Sequence, residues 1–178
     1  MKKIYSIVAL SVILISCNKQ QEKIQTETNG PVIIGSEHIE GRDGLSPIIA
    51  GDTSLIQKWE DYVQALNDRN KEKVAEMVAN DIKVYNSNGT EINGIKALME
   101  NQSNSFATTN PKWKTTWMIA NSGQNKDGIV EPYLTTGSEL TEIINGDTTL
   151  RYLVIDTKWE NGKLKLIHAY TRASVPKK

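Results

Sequence analysis

The sequence predicts an α+β domain in which helices come first and an antiparallel meander of strands follows. Three observations carry this expectation. Apolar residues across 55–66 recur at three- and four-residue spacing, the period of one helix face. After Pro111 the period becomes two, with Trp113, Thr115, Trp117 and Ile119 alternating with Lys112, Lys114, Thr116 and Met118. Asn145-Gly146 and Asn161-Gly162 each stand between alternating runs, the strongest short signal for a hairpin.

The elements follow in order. Asp52-Thr53-Ser54 offers helix N-caps, so the folded domain is expected over residues 52–175. The first helix carries Leu55, Ile56, Trp59, Tyr62, Val63 and Leu66 on one stripe and ends at Asn67-Asp68-Arg69-Asn70. A shorter helix holds Val74, Met77 and Val78, and residues 81–85 alternate as a strand. Asn86-Ser87-Asn88-Gly89 reads as a turn, and 95–106, with Leu98, Met99 and Phe106, as a third helix. Residues 122–128 read as a polar loop, and 129–144 as a long strand interrupted at Pro132 and Gly137.

Upstream of the domain, residues 17–51 are rich in Gln, Glu, Thr, Gly and Pro and read as a tether. Two apolar pieces, Val32-Ile33-Ile34 and Ile48-Ile49, are candidate edge strands. Residues 1–16 have the form of an export leader: Met1-Lys2-Lys3, an apolar run over 4–15 too short to span a bilayer, then Leu14-Ile15-Ser16-Cys17. Leu14-Ile15-Ser16-Cys17 resembles the lipobox of bacterial lipoproteins. The resemblance implies that the leader is removed, that Cys17 becomes the first residue, and that its thiol is acylated by chains such as palmitate. It places the protein in the bacterial cell envelope, anchored to the outer membrane or the periplasmic face, with the membrane as its first partner.

Composition narrows the rest. The chain has 21 basic and 21 acidic residues, and loss of Lys2 and Lys3 with the leader leaves 19 basic residues and a net charge of −2. Such a chain has no basic field with which to hold nucleic acid. Cys17 is the only cysteine, so disulfides are excluded, and its acylation leaves no thiol for thiolate–metal ligation. His38 and His168 are the only histidines, and His38 lies in the tether, so neither a metal nor a cofactor site is expected.

Four segments, taken in order, resemble the nuclear transport factor 2-like proteins, which include SnoaL-like cyclases and ketosteroid isomerases. They are Trp59-x-x-Tyr62-x-x-Ala65-Leu66-Asn67-Asp68, then Val78-Ala79-Asn80-Asp81-Ile82-Lys83-Val84-Tyr85, then Asn88-Gly89 with Gly94-Ile95-Lys96-Ala97-Leu98, and finally residues 158–168. The resemblance implies a cone in which a strongly curved antiparallel sheet wraps the helices around a pocket. It also implies pairing of two copies through the open side of the sheet.

The hairpins supply a register. A two-residue loop at Asn161-Gly162 sets Trp159 opposite Leu164, Thr157 opposite Leu166, Ile155 opposite His168 and Leu153 opposite Tyr170. Those side chains then share one apolar face, while Tyr152, Val154, Asp156 and Lys158 take the other. At Asn145-Gly146 the same logic sets Leu140 opposite Arg151, with Leu140 and Leu153 inward. The expected pocket is therefore lined by Tyr85, Trp113, Trp117, His168 and Tyr170, with Arg151 and Arg172 near one another at its rim. Asp156 points away, and Glu139 and Glu142 are expected on the sheet surface or rim.

These residues describe a lipid-anchored, non-enzymatic module that binds a small apolar or aromatic molecule without a cofactor. Two alternatives stand beside it. One is a cofactor-independent isomerase, dehydratase or cyclase using His168 as base with Tyr170 as donor. The other is a dimeric scaffold in an envelope assembly.

Overall fold

The computed structural model describes residues 30–172, so the leader, Cys17 and the last six residues lie outside the described part. In chain order the elements are β1 (Ile33–Glu37), β2 (Ser46–Ala50), α1 (Ser54–Asn67), α2 (Lys71–Met77), β3 (Val78–Tyr85), β4 (Glu91–Asn93), α3 (Gly94–Thr108), β5 (Lys112–Gln124), β6 (Val130–Ile144), β7 (Asp147–Glu160) and β8 (Lys163–Thr171). One sheet holds all eight strands, in the order β1-β2-β5-β6-β7-β8-β3-β4. Every pairing is antiparallel except β3 with β8, which is parallel, so the sheet is mixed. It curls around the helices in the expected cone.

Local chemistry explains the helix boundaries. Asp52 accepts from Ser54 N (2.8 Å) and from the Ser54 hydroxyl (2.7 Å), tying down the start of α1. The hydrogen bond from the Ser54 side chain holds the exposed Asp52 carboxyl below its usual range. Asn70 caps α2 by accepting from Lys73 N at 2.9 Å. Val78, expected in that helix, has extended backbone and opens β3 instead, which buries it fully. The core unites Trp59, Tyr62 and Leu66 of α1 and Leu98 of α3 with Leu140 of β6, Leu153, Ile155 and Trp159 of β7 and Leu164 of β8.

Both Asn-Gly pairs form two-residue loops with positive φ at each position, 54° and 87° at Asn145-Gly146, 51° and 74° at Asn161-Gly162. That is the backbone of a type I′ turn, whose twist matches the strands. The expected pair Leu140 with Arg151 forms, Ser138 pairs with Leu153, and Leu153, Ile155, Thr157 and Trp159 face the core. The long strand β6 runs unbroken through Pro132 and Gly137, and β5 reaches Gln124, which shortens the connecting loop.

Two β-bulges change the rest of the register. In β5 the pairing slips between Thr115 and Trp117, leaving Thr116 as the extra residue. In β8 it slips after Leu164, so that Leu166 opposes Lys158 and Lys165 is the extra residue. A bulge reverses which face the following side chains take. Thr157 therefore opposes Ile167, Asp156 opposes His168 and Val154 opposes Tyr170. The slip follows from burying both Leu164 and Ile167, which stand three residues apart and cannot share a face of a regular strand. Lys165, freed from the ladder, pairs with Asp81 of β3 and with Glu160 at 3.3 Å.

The stretch expected as a tether is in part structural. Its two apolar pieces enter β1 and β2, which form a hairpin on β5, so the sheet begins at Ile33. Gly51 seals this attachment: its N–H donates to Ala120 O (3.0 Å), and an added Cβ would come within 2.6 Å of the Asn121 backbone. Gly51→Ala is expected to cost about 1–3 kcal/mol by overpacking against backbone. Its signature is faster hydrogen exchange at Ala50 and Gly51 than at the β6 and β7 amides.

Candidate functional site

Inside the cone is a cavity of about 360 Å³. Trp59, Tyr62, Val63 and Leu66 form one wall from α1, and Leu98, Gln102 and Phe106 another from α3. The sheet contributes Trp113, Leu140, Leu153, Ile155 and Ile167, and the β3–β4 turn over 86–90 borders the mouth. Asn67 holds Trp113 in place by pairing with both its backbone groups, donating to its C=O and accepting from its N–H, each at 2.8 Å. Trp59 is fixed by an indole N–H bond to the Thr115 hydroxyl at 3.2 Å.

Polar groups interrupt the lining at the β3–β4 turn, at Asn101, Gln102 and Ser105 of α3 and at Glu142 with Arg151 on the sheet, and two buried sets among them stand out. The first is on the helices. Gln102 is 8% exposed and its amide nitrogen donates to the Tyr62 hydroxyl at 3.5 Å, while its carbonyl oxygen has no partner. Burial drives the Tyr62 phenol well above its usual range, so it stays neutral. The second is on the sheet. Glu142 is 7% exposed and accepts from the Arg151 guanidinium and, at 3.2 Å, from the Thr109 hydroxyl. The Arg151 Nε is buried and unpaired. One positive and one negative charge thus cancel at the cavity wall.

Only part of the residue set expected from the sequence comes together here. Trp113 lines the cavity, and Arg151 reaches it with its head group partly in solvent. Tyr85, His168 and Tyr170 do not line it. The β8 bulge turns His168 and Tyr170 to the outer face, where His168 stacks on Tyr85 at 4.8 Å and on Tyr170 at 6.5 Å. The β5 bulge likewise puts Trp117 outside. Arg172 is not beside Arg151; it lies over the Tyr152 ring at 4.3 Å on that outer face. Asp156 points outward as expected, and Glu139 sits on the surface paired with Lys114 at 3.1 Å. Glu142 is the reversal among the acids, buried in the cavity wall rather than at the surface.

The sequence did carry signals for the missed residues. Gln102 lies four residues from both Leu98 and Phe106, a polar group within an apolar stripe. Glu142 is two residues from inward-facing Leu140 and so shares its face. Among the described residues no group of three or more His, Asp or Glu side chains is arranged to hold a metal ion.

No family model matches the chain, and no curated protein matches it. Solved structures do. An LEH-like epoxide hydrolase from M. tuberculosis superposes with a TM-score of 0.55 at 16% identity, covering 67% of this chain and 84% of that one. A protein with a ketosteroid isomerase-like fold from Catenulispora acidiphila, solved with trimethylamine, gives 0.52 at 12%, covering 64% and 84%. An NTF2-like protein of unknown function from Cytophaga hutchinsonii gives 0.50 at 13%, covering 66% and 88%. At these identities the likeness shows the fold alone, a nuclear transport factor 2-like cone.

Proposed function

We propose that this is a lipid-anchored envelope protein whose cone binds a small, uncharged, mainly apolar or aromatic molecule. The observation that carries the reading is the cavity of about 360 Å³, apolar along α1 and most of the sheet, with polar side chains on α3 and the β3–β4 turn and a buried Gln102 oxygen that lacks a donor. Its size lies within the range of small-molecule sites, and a few aimed polar groups in an apolar lining are their usual makeup. A ligand hydroxyl or amide donating to Gln102 would relieve the orphaned oxygen, and the cancelled charges of Glu142 and Arg151 favour a neutral molecule.

Mass spectrometry of material extracted from the purified protein tests this first. With a ligand in hand, Gln102→Leu is expected to weaken binding about fivefold, the worth of one buried hydrogen bond. His168→Ala, on the outer face, is expected to leave binding unchanged. A binding loss in His168→Ala without one in Gln102→Leu would sink the reading.

A cofactor-independent isomerase, dehydratase or cyclase is the second reading, now resting on Glu142 as the carboxylate in the cavity. Geometry weighs against it. A general base needs a lone pair aimed at the substrate, and the Glu142 carboxylate is held by Thr109 on one oxygen and by the Arg151 guanidinium on the other. Turnover of an enolisable ketone that disappears in Glu142→Gln would reverse this order.

A further inference from the structure

The sheet begins with an apolar edge that neither the core nor the cavity uses. Val32, Ile33 and Ile34 are consecutive and 58%, 68% and 47% exposed. Successive strand side chains point to opposite faces, so exposure of all three leaves both faces of this edge bare. β1 runs for about 17 Å at the usual rise. At its far end Arg42 ties the β1–β2 loop to the β5–β6 loop, donating to Gln124 Oε1 at 3.0 Å and to Lys126 O at 3.2 Å. That junction exposes Leu45, Ile129 and Val130, each by more than half. Large apolar side chains grouped in this way mark an interaction surface.

The same edge is built against strand pairing. β1 is the outermost strand of the sheet and only five residues long. Ile34 is an extra residue between Ile33, opposite Ile49, and Gly35, opposite Ile48. Pro31 stands just ahead of it. Short strands, bulges and prolines blunt an edge against the addition of another strand. A peptide or a second copy therefore finds no regular ladder to extend. A flat partner surface would cover one face of Val32-Ile33-Ile34 and leave the other wet. An edge bare on both faces suits a medium that envelops it.

The layout of the chain brings such a medium near. Only the 12 residues 18–29 lie between Cys17 and Gly30, at most about 45 Å of chain, and Val32 follows at once. In that stretch Lys19 and Lys23 cancel Glu22 and Glu27, so it adds no electrostatic pull toward a charged surface.

We propose that the β1 edge docks on the bilayer that holds the acylated Cys17, with Val32, Ile33 and Ile34 entering the boundary between headgroups and acyl chains and Leu45 alongside. This rests on the reading of Cys17 as the lipid anchor. A few apolar side chains hold a membrane surface only weakly by themselves. The short tether makes their insertion intramolecular, at a high effective concentration, so weak contacts suffice to set the orientation of the domain.

Cys17 is the only cysteine, so once it is acylated an introduced cysteine is the only free thiol. Full-length Ile33→Cys, Leu45→Cys and Glu91→Cys, the last on β4 at the other edge of the sheet, are each labelled with an environment-sensitive fluorophore. They are then reconstituted into phosphatidylcholine vesicles carrying nitroxide groups on the acyl chains. Labels at 33 and 45 are expected to shift to the blue and to be quenched, equally at low and high salt, and the label at 91 to show neither effect. Adding Val32→Glu and Ile34→Glu should abolish the quenching at 45 while palmitate labelling of Cys17 persists. Ile33 and Leu45 lie in different segments, so either probe carries the test if the other variant fails to fold. Equal quenching at 33 and 91 in protein that carries palmitate overturns the docking and leaves the anchor standing. Absence of palmitate overturns the anchor and the docking with it. Oxidation of Ile33→Cys to a disulfide-linked dimer, with the label at 33 out of reach of the nitroxide lipids, assigns the edge to a second copy and overturns the proposal as well.

Discussion

Arg151→Leu is expected to destabilise the domain by about 3 kcal/mol, because it leaves the Glu142 carboxylate buried without its partner. The figure is the low end for a broken buried pair, since the Arg151 side chain is 41% exposed and water can reach it, while Glu142 keeps the Thr109 hydroxyl. The double variant Arg151→Leu/Glu142→Leu should recover much of the loss, because removing both charges also removes their desolvation. Thermal melts of the wild type, both single variants and the double variant give the coupling directly. Additive effects would mean that the pair contributes nothing to the cavity wall. The same double variant should bind apolar ligands at least as well as the wild type under the binding reading, and should abolish turnover under the enzymatic one.

Cys17→Ser is expected to move the protein from the membrane fraction to the soluble fraction and to abolish labelling by palmitate. Each buried methylene of an acyl chain contributes about 0.8 kcal/mol, and one chain holds only marginally, so the proposed anchor of at least two chains on Cys17 would be lost altogether with the thiol. The hairpin on β5 makes the tether shorter than the composition implied. Only the 12 residues 18–29 lie between Cys17 and Gly30, the first described residue. Fully extended they reach about 45 Å, so an anchored domain works within that distance of the bilayer. Retention of the serine variant in the membrane with its leader uncut would mean that residues 1–16 anchor the protein themselves.

Where the expected pocket went wrong is instructive. Assigning His168 and Tyr170 to the interior needed unbroken alternation from the Asn161-Gly162 loop to the end of β8. The loop formed as expected, but alternation broke at Lys165. Leu164-Lys165-Leu166-Ile167 offers two apolar phases, one through Leu164 and Leu166, the other through Ile167 and Ala169. The core takes Leu164 from the first and Ile167 from the second, and only a bulge allows both. Trp113 and Trp117 were separated by the same kind of slip at Thr116. Glu142 and Gln102, by contrast, were legible: each stands in phase with residues already assigned to the interior.

The sequence by itself determined the three helices, the long strands after Pro111, both Asn-Gly hairpins and the inward set on β7, while the cone was what the family resemblance implied. These depend on near neighbours, through helix and strand periods and the positive φ that Asn and Gly accept. It also raised the expectation of an acylated Cys17, which no described residue bears on. Only the tertiary structure decided what enters the cavity wall. One inserted residue in a strand exchanges its two faces, and whether it is inserted depends on how distant strands and helices pack against both phases. That packing moved Trp117, His168 and Tyr170 outside and joined Glu142 to Arg151 within.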